Sequence, residues 1–202
     1  MSKCRLRSKL SRIPDKPFTE KMDYFSAAAT ILCGLFYTVV RLFHLYTPPT
    51  SSLTFRKRPR HPLLIPWAFL CILLFVAHVT YLSLLPRFDY SYNILAHVII
   101  GLSHNLLWAS YSLPSPFFYK RFPSIPNSYQ PKCVRTPVLL AVAMTSASAL
   151  EIFDFSPWWR IIDAHSLWHL STVPLIFWWY RFLIEDARDP GWRMGKEQVL
   201  MS

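Results

Sequence analysis

The chain has 202 residues, 52% of them hydrophobic, and 22 Lys and Arg against 11 Asp and Glu leave a formal net charge of +11. A basic, soluble nucleic-acid-binding domain is excluded by 15 Phe, 10 Tyr and 8 Trp beside only 4 Gly, and by charges that avoid long stretches of the chain. Mean hydropathy of +0.23 with 16% charged residues places the chain among membrane proteins.

The first element is a basic tail, residues 1–18, with Lys3, Arg5, Arg7, Lys9, Arg12 and Lys16, followed by Lys21. A spanning helix needs about 20 mainly apolar residues, because the hydrocarbon core is about 30 Å thick and a helix rises about 1.5 Å per residue. Five stretches meet this, at residues 24–46, 63–85, 91–113, 137–153 and 162–183, within a bundle predicted over 19–186. Breaks rich in Pro separate them: Pro48-Pro49, Pro86, the stretch 114–131 and Pro157. A tail, 187–202, closes the chain. The expected fold is therefore an all-α, polytopic membrane helix bundle.

Consecutive spans alternate direction, so the tail, the second-to-third turn and the fourth-to-fifth turn share one side. Of the Lys and Arg residues, two (Arg87 and Arg160) lie in those turns, 13 lie on the opposite side and seven precede the first span. Basic residues stay cytosolic, which places the 13 in the cytosol and the two turns in the lumen. The tail runs against this rule. No apolar run precedes residue 24, so no signal peptide is read and the first span is the entry signal. The run Arg56-Lys57-Arg58-Pro59-Arg60-His61 reads as a cytosolic anchor touching anionic headgroups. Cys4, Cys33, Cys71 and Cys133 form no disulfide framework.

Ionisable groups at membrane depth are costly, so each needs a partner or a role. Seven of the eleven carboxylates (Asp15, Glu20, Asp23, Asp89, Glu151, Asp154, Asp163) gather at the lumenal side, beside His165 and His169. In Asp163-Ala-His165-Ser-Leu-Trp-His169 the two histidines are one helical turn apart, about 6 Å, where two imidazoles can chelate one divalent ion or hydrogen-bond within the bundle. Ser166 stands where zinc peptidases carry Glu, which argues against that class. Asp23 starts on the same side as His165 and can approach it, with a favourable helix-dipole contact as the plainer role. Thr19 is a candidate cap for the first helix. His97 and His104 share a face of the third span with Asn93 at its start, and are read as interhelical hydrogen-bonding groups. His44, His61 and His78 are read as uninvolved, His78 as isolated. Trp168, Trp178 and Trp179 are read as interfacial or packing aromatics.

Three blocks carry a resemblance: Thr19-Glu-Lys-Met-Asp-Tyr-Phe25, Arg87-Phe-Asp-Tyr-Ser-Tyr-Asn93, and Leu150-Glu-Ile-Phe-Asp-Phe-Ser-Pro157 running through Asp163 to Pro174. Together they resemble the post-GPI-attachment lipid-remodelling family, part of the CREST superfamily of membrane hydrolases that includes the alkaline ceramidases. The resemblance covers about residues 13–186. It implies that the five spans are the last five of a seven-helix, zinc-dependent hydrolase of the endoplasmic reticulum membrane, with the Golgi as the alternative. Its substrates would be GPI-anchored proteins and membrane lipid, and its step would be phospholipase A2-type removal of the sn-2 acyl chain. In that family's pattern Asp23 takes the catalytic position and His165 and His169 ligate the metal. The first His of the pattern falls on Arg12, which cannot ligate, with Ser8 four residues earlier. Asp23 itself, or auxiliary groups such as His97 or Asp163, would complete the ligand set. The mismatch before residue 13, with the charged tail, implies an N-terminally shortened relative. A non-catalytic scaffold or lipid-binding relative is the alternative, and a receptor-like bundle fits less well.

Overall fold

The computed structural model describes residues 17–45, 61–113, 120–122, 125, 128–153, 155, 157–158 and 162–192, with the side chains of 17–20, 151 and 165 left aside. Among the described residues there are five helices, α1 Pro17–Leu42, α2 Leu64–Leu84, α3 Tyr90–Ser112, α4 Thr136–Ile152 and α5 Ala164–Ala187, and the β-structure is a single bridge between Trp158 and Ile162. The basic tail with Ser8 and Arg12, the anchor run Arg56 to Arg60 and the end of the C-tail lie outside the described residues.

Helices α1, α2 and α3 are each long and apolar enough to cross a membrane. Helix α4 has 17 residues, a length of about 26 Å at 1.5 Å per residue. Helix α5 has 24 residues, so its length suffices, but His165, His169, Arg181, Glu185 and Asp186 make it more polar.

The helix ends follow from local chemistry. Helix α1 begins seven residues before the predicted span, because Pro17 suits a first turn and the polar stretch up to Asp23 is a good helix former. Thr19 is consequently inside the helix and not its cap. At the far end His44 adopts φ 55, the left-handed geometry that stops a helix. Asp89 caps α3 by accepting from the Tyr92 amide at 3.0 Å, and Asp163 caps α5 by accepting from Ser166 N at 2.7 Å. Two of the acids that the charge rule groups on one side thus satisfy amides that lipid could not.

Helix α1 packs against α2 and α3, α3 against α4, and α4 against α5. The core lies towards the end where α1 and α5 finish, built from Leu42, Trp108, Tyr111, Cys133, Val134, Leu140 and Phe182. Trp108 meets Phe182 at 5.0 Å and Trp179 at 5.8 Å between ring centres. Its indole N–H donates to Thr38 Oγ1 at 2.8 Å, so even the polar edge is satisfied. Trp179 is therefore a packing aromatic, whereas Trp178 is exposed and lies under the Arg181 guanidinium.

That same end carries a buried polar knot. Arg41 donates to Asp186 through Nε at 2.6 Å and Nη2 at 2.8 Å, and Tyr111 O–H donates to Asp186 at 2.7 Å. Arg41 Nη1 reaches the Arg121 carbonyl at 3.0 Å. Arg121 in turn donates to the carbonyls of Tyr111 and Leu113, tying the α3–α4 connection down. Trp192 donates to the Asp186 carbonyl and lies 4.5 Å from the Arg41 guanidinium carbon. Arg41 and Asp186 compensate one another's charge, and the buried Arg121 guanidinium is met by backbone carbonyls.

Candidate functional site

Helices α1 and α5 both start at the lumenal end under the charge rule, so their first turns face one another without further routing. Asp23 is six residues into α1 and His169 five residues into α5. Their side chains meet there, with His169 Nε2 3.9 Å from Asp23 Oδ2, and they are 48% and 43% exposed. A carboxylate and an imidazole held together at a half-open surface can pass a proton or hold one cation.

Two donors on one tetrahedral zinc stand about 3.3–3.4 Å apart, given bonds of about 2.0–2.1 Å. The observed separation is within about half an ångström of that, and O and N donors are what zinc takes, so the pair fits the metal that the resemblance implies. His165 belongs to the first turn of α5, one turn before His169, but its side chain is outside the described set. Among the described residues no group of three or more His, Cys, Asp or Glu side chains converges on a point.

The other candidates sit elsewhere. Asp163 serves as the α5 cap. His97 faces α2, where its ring centre is 5.9 Å from that of His78. His78 is therefore not isolated: it also packs on Tyr92 at 5.5 Å and Phe25 at 6.5 Å. Because Phe25 follows Asp23 by two residues, about 200° around the helix, the His78 group lies on the opposite face of α1 from Asp23.

The expected interhelical hydrogen bonds from His97 and His104 are not made. His97 Nε2 has no partner. His104 pairs with its neighbour Asn105 at 3.1 Å and packs on Trp179 at 5.2 Å. It is Asn105 that crosses between helices, donating to Thr145 Oγ1 at 2.9 Å. His44, read as uninvolved, donates to the Lys120 carbonyl at 2.6 Å.

A cleft of about 240 Å³ between α1 and α5, lined by Tyr37, Val40, Arg41, Asp186, Ala187 and Trp192, lies at the far end from Asp23 and His169. Its charged groups are committed to the knot, so it offers no reactive side chain. Beside it, burial pushes the Cys133 thiol up to about 12, with the Asp186 and Asp189 carboxylates adding to the rise. Burial also raises the Tyr129 phenol, which donates to Asp189 at 2.9 Å. Among the described residues Cys33, Cys71 and Cys133 are free thiols.

A family model described as the Per1-like family matches residues 4–187. A protein PER1 homolog of Schizosaccharomyces pombe is 37% identical over 185 residues, 89% of this chain and 48% of that protein. Proteins called GPI-specific phospholipase A2-like PGAP3 are 38% identical in Xenopus laevis and 35% in Homo sapiens, each over 86% of this chain and 46% of theirs. The chain thus spans about half the length of the relatives it matches. No solved structure matches it.

Proposed function

The chain belongs to the Per1-like family, and from that membership we propose that it takes part in GPI-lipid remodelling as a hydrolase of the sn-2 acyl ester. The observation that carries the reading is the approach of Asp23 and His169 across α1 and α5. The names of the relatives support the substrate class, a GPI-linked lipid on an anchored protein. The proposed station is the endoplasmic reticulum membrane, with the Golgi membrane as the alternative.

In this reading His165 and His169 would hold a zinc ion, and Asp23 would serve as the acid–base group of the site. A catalytic zinc lowers the pKa of a bound water to about 7. Asp23 Oδ2 is the proton carrier: it takes a proton from the attacking water and returns one to the sn-2 oxygen as the ester C–O bond breaks. The products are a free fatty acid and a lysolipid with a free sn-2 hydroxyl. The half-open setting of the pair lets an ester reach it from the headgroup side.

The test is rescue of GPI-lipid remodelling in cells deficient in it, scored by the sn-2 chain composition of anchored proteins. Wild-type chain is expected to rescue. Asp23→Asn should lower sn-2 fatty-acid release by about 10²–10⁴-fold, the range for loss of a general acid–base group, and His169→Ala should also lower zinc content. Equal rescue by all three proteins would remove the site from the mechanism. A second reading, a non-catalytic lipid-binding relative, is favoured by Arg12 at the position of the family's first His; it predicts lipid association with no fatty-acid release.

A further inference from the structure

On the face of α1 turned away from Asp23, three polar side chains from two helices meet with nothing to satisfy them. His78 of α2 is 8% exposed and Asn93 of α3 is 0% exposed. His78 Nε2, His97 Nε2 and both polar atoms of the Asn93 amide are buried without a hydrogen-bond partner. The imidazole centres are 5.9 Å apart, with the rings inclined at 35°. Asn93 lies close enough to His78 to act on it as a hydrogen-bonding neighbour, but neither of its amide atoms meets hydrogen-bond geometry. Phe25 and Tyr92 wall the group on two sides. Helix α2 packs on α1, and His78 reaches across from it to Tyr92 and His97 of α3.

Buried polar groups in native proteins are almost always satisfied, by protein or by a bound species. The chemistry of the four atoms restricts that species. Each neutral imidazole offers its Nε2 as donor or acceptor according to tautomer, and the amide offers one of each. Among the described residues no carboxylate joins the cluster to neutralise a cation, and no Lys or Arg joins it to neutralise an anion. A charge taken there would be left uncompensated. A neutral hydroxyl, which donates through its hydrogen and accepts on its oxygen, matches the set.

Depth points the same way. Asn93 and His97 are three and seven residues from the start of α3, and His78 is six from the end of α2. At 1.5 Å per residue the cluster lies about 5–10 Å inside the helix ends, beneath the polar interface of a bilayer about 30 Å thick in its hydrocarbon core, where a neutral group costs less than a charged one.

We propose that His78, Asn93 and His97 form a hydroxyl-binding site between α2 and α3. The hydroxyl comes either from one trapped water or from the glycerol backbone of a lysolipid. Only the lysolipid source rests on the sn-2 hydrolysis proposed above, since that reaction creates such a hydroxyl; occupancy of the site does not.

The test uses the full chain purified in detergent and reads binding, not activity. Asn93→Leu and His97→Phe remove polar atoms with little change in volume. If the site is occupied, each variant lowers the melting temperature, by about 2–8 °C for one or two lost hydrogen bonds. A 1-palmitoyl lysophosphatidylcholine that raises the wild-type melting temperature, while its 2-O-methyl ether and both variants show no such rise, identifies the lipid source. No response to either lipid, with destabilised variants and His78 and His97 Nε2 signals in ¹⁵N-histidine spectra that are hydrogen-bonded and sensitive to D₂O, identifies water. Variants as stable as wild type or more so, with unbonded Nε2 signals, overturn the proposal. Should a variant fail to fold, the wild-type ¹⁵N spectrum alone decides.

Discussion

Replacing Asp186 by Asn tests the buried knot that joins the last turns of α1 and α5. The carboxylate is 1% exposed, faces an Arg41 that is 4% exposed, and accepts two bonds from that guanidinium and one from the Tyr111 hydroxyl. Asn keeps the volume but removes the charge and turns one acceptor into a donor aimed at Arg41, leaving the guanidinium buried and uncompensated. Breaking a buried pair from one side costs about 3–5 kcal/mol. At about 2–4 °C per kcal/mol for a chain of this size, the melting temperature falls by about 6–20 °C. Thermal unfolding of detergent-purified protein, followed by tryptophan fluorescence, reads the change. The companion variant Arg41→Met with Asp186→Leu should be more stable than either Asp186→Leu or Arg41→Met alone, because an apolar pair of similar volume replaces a charge pair with little loss. The coupling energy from the cycle should exceed about 1.5 kcal/mol. An Asp186→Asn protein melting within 2 °C of wild type, or a cycle with no coupling, would refute the reasoning.

Asp163→Ala removes the α5 cap and should destabilise the protein by about 0.5–2 kcal/mol, while Asp163→Ser should recover most of it; an equal effect of the two would assign Asp163 to something other than capping. Asn105→Ala should cost about 0.6–1.7 kcal/mol, the span measured for hydrogen bonds between membrane helices, and Thr145→Val should lose a similar amount without adding to it; additive losses would mean the two do not share a bond. The Cys133 thiol, raised from 9.0 to about 12, is on the order of 10⁻⁴ ionised at pH 8, so maleimide or iodoacetamide should label it about a thousandfold more slowly in native than in denatured protein. Since the native pKa exceeds the unfolded one, this thiol's contribution to stability is complete below pH 9 and is lost as pH rises towards 12. Native and denatured labelling rates within tenfold of each other would contradict the burial of this side chain.

Much of the fold was legible because lipid imposes a simple rule: apolar runs of fixed length, broken by Pro, become helices. Helix α1 shows the limit of that rule, since hydropathy marks where lipid begins and not where hydrogen bonding begins, and the helix continues out through Asp23 to Pro17. The approach of Asp23 to α5 could be anticipated from chain direction alone, because two helices that start on one side bring their first turns together. His78 was misread for the opposite reason. Along its own helix it has no imidazole, amide or carboxylate neighbour at helical spacing, and its companions Asn93 and His97 are on α3, where only packing can place them. His104 and Asn105 differ by one residue, about 100° of helix rotation, and that angle decides which of them reaches Thr145. Arg41 and Asp186 are 145 residues apart. In the sequence Arg41 counts merely as one positive charge near a membrane surface, and nothing local distinguishes an anchoring arginine from one locked into a buried pair.

The two side-chain links between α1 and α5 are unequal, and their inequality gives the bundle a mechanical sense. At one end the helices are riveted by a bidentate ion pair, a phenol and an indole packed in aromatic surroundings. At the other, among the described residues, a 3.9 Å approach joins half-exposed side chains. Buried, fully bonded groups are the last to open, so Arg41 and Asp186 act as a fixed point from which α1 and α5 extend. Under the function proposed above, a lipid that meets Asp23 and His169 does so at the end remote from that fixed point.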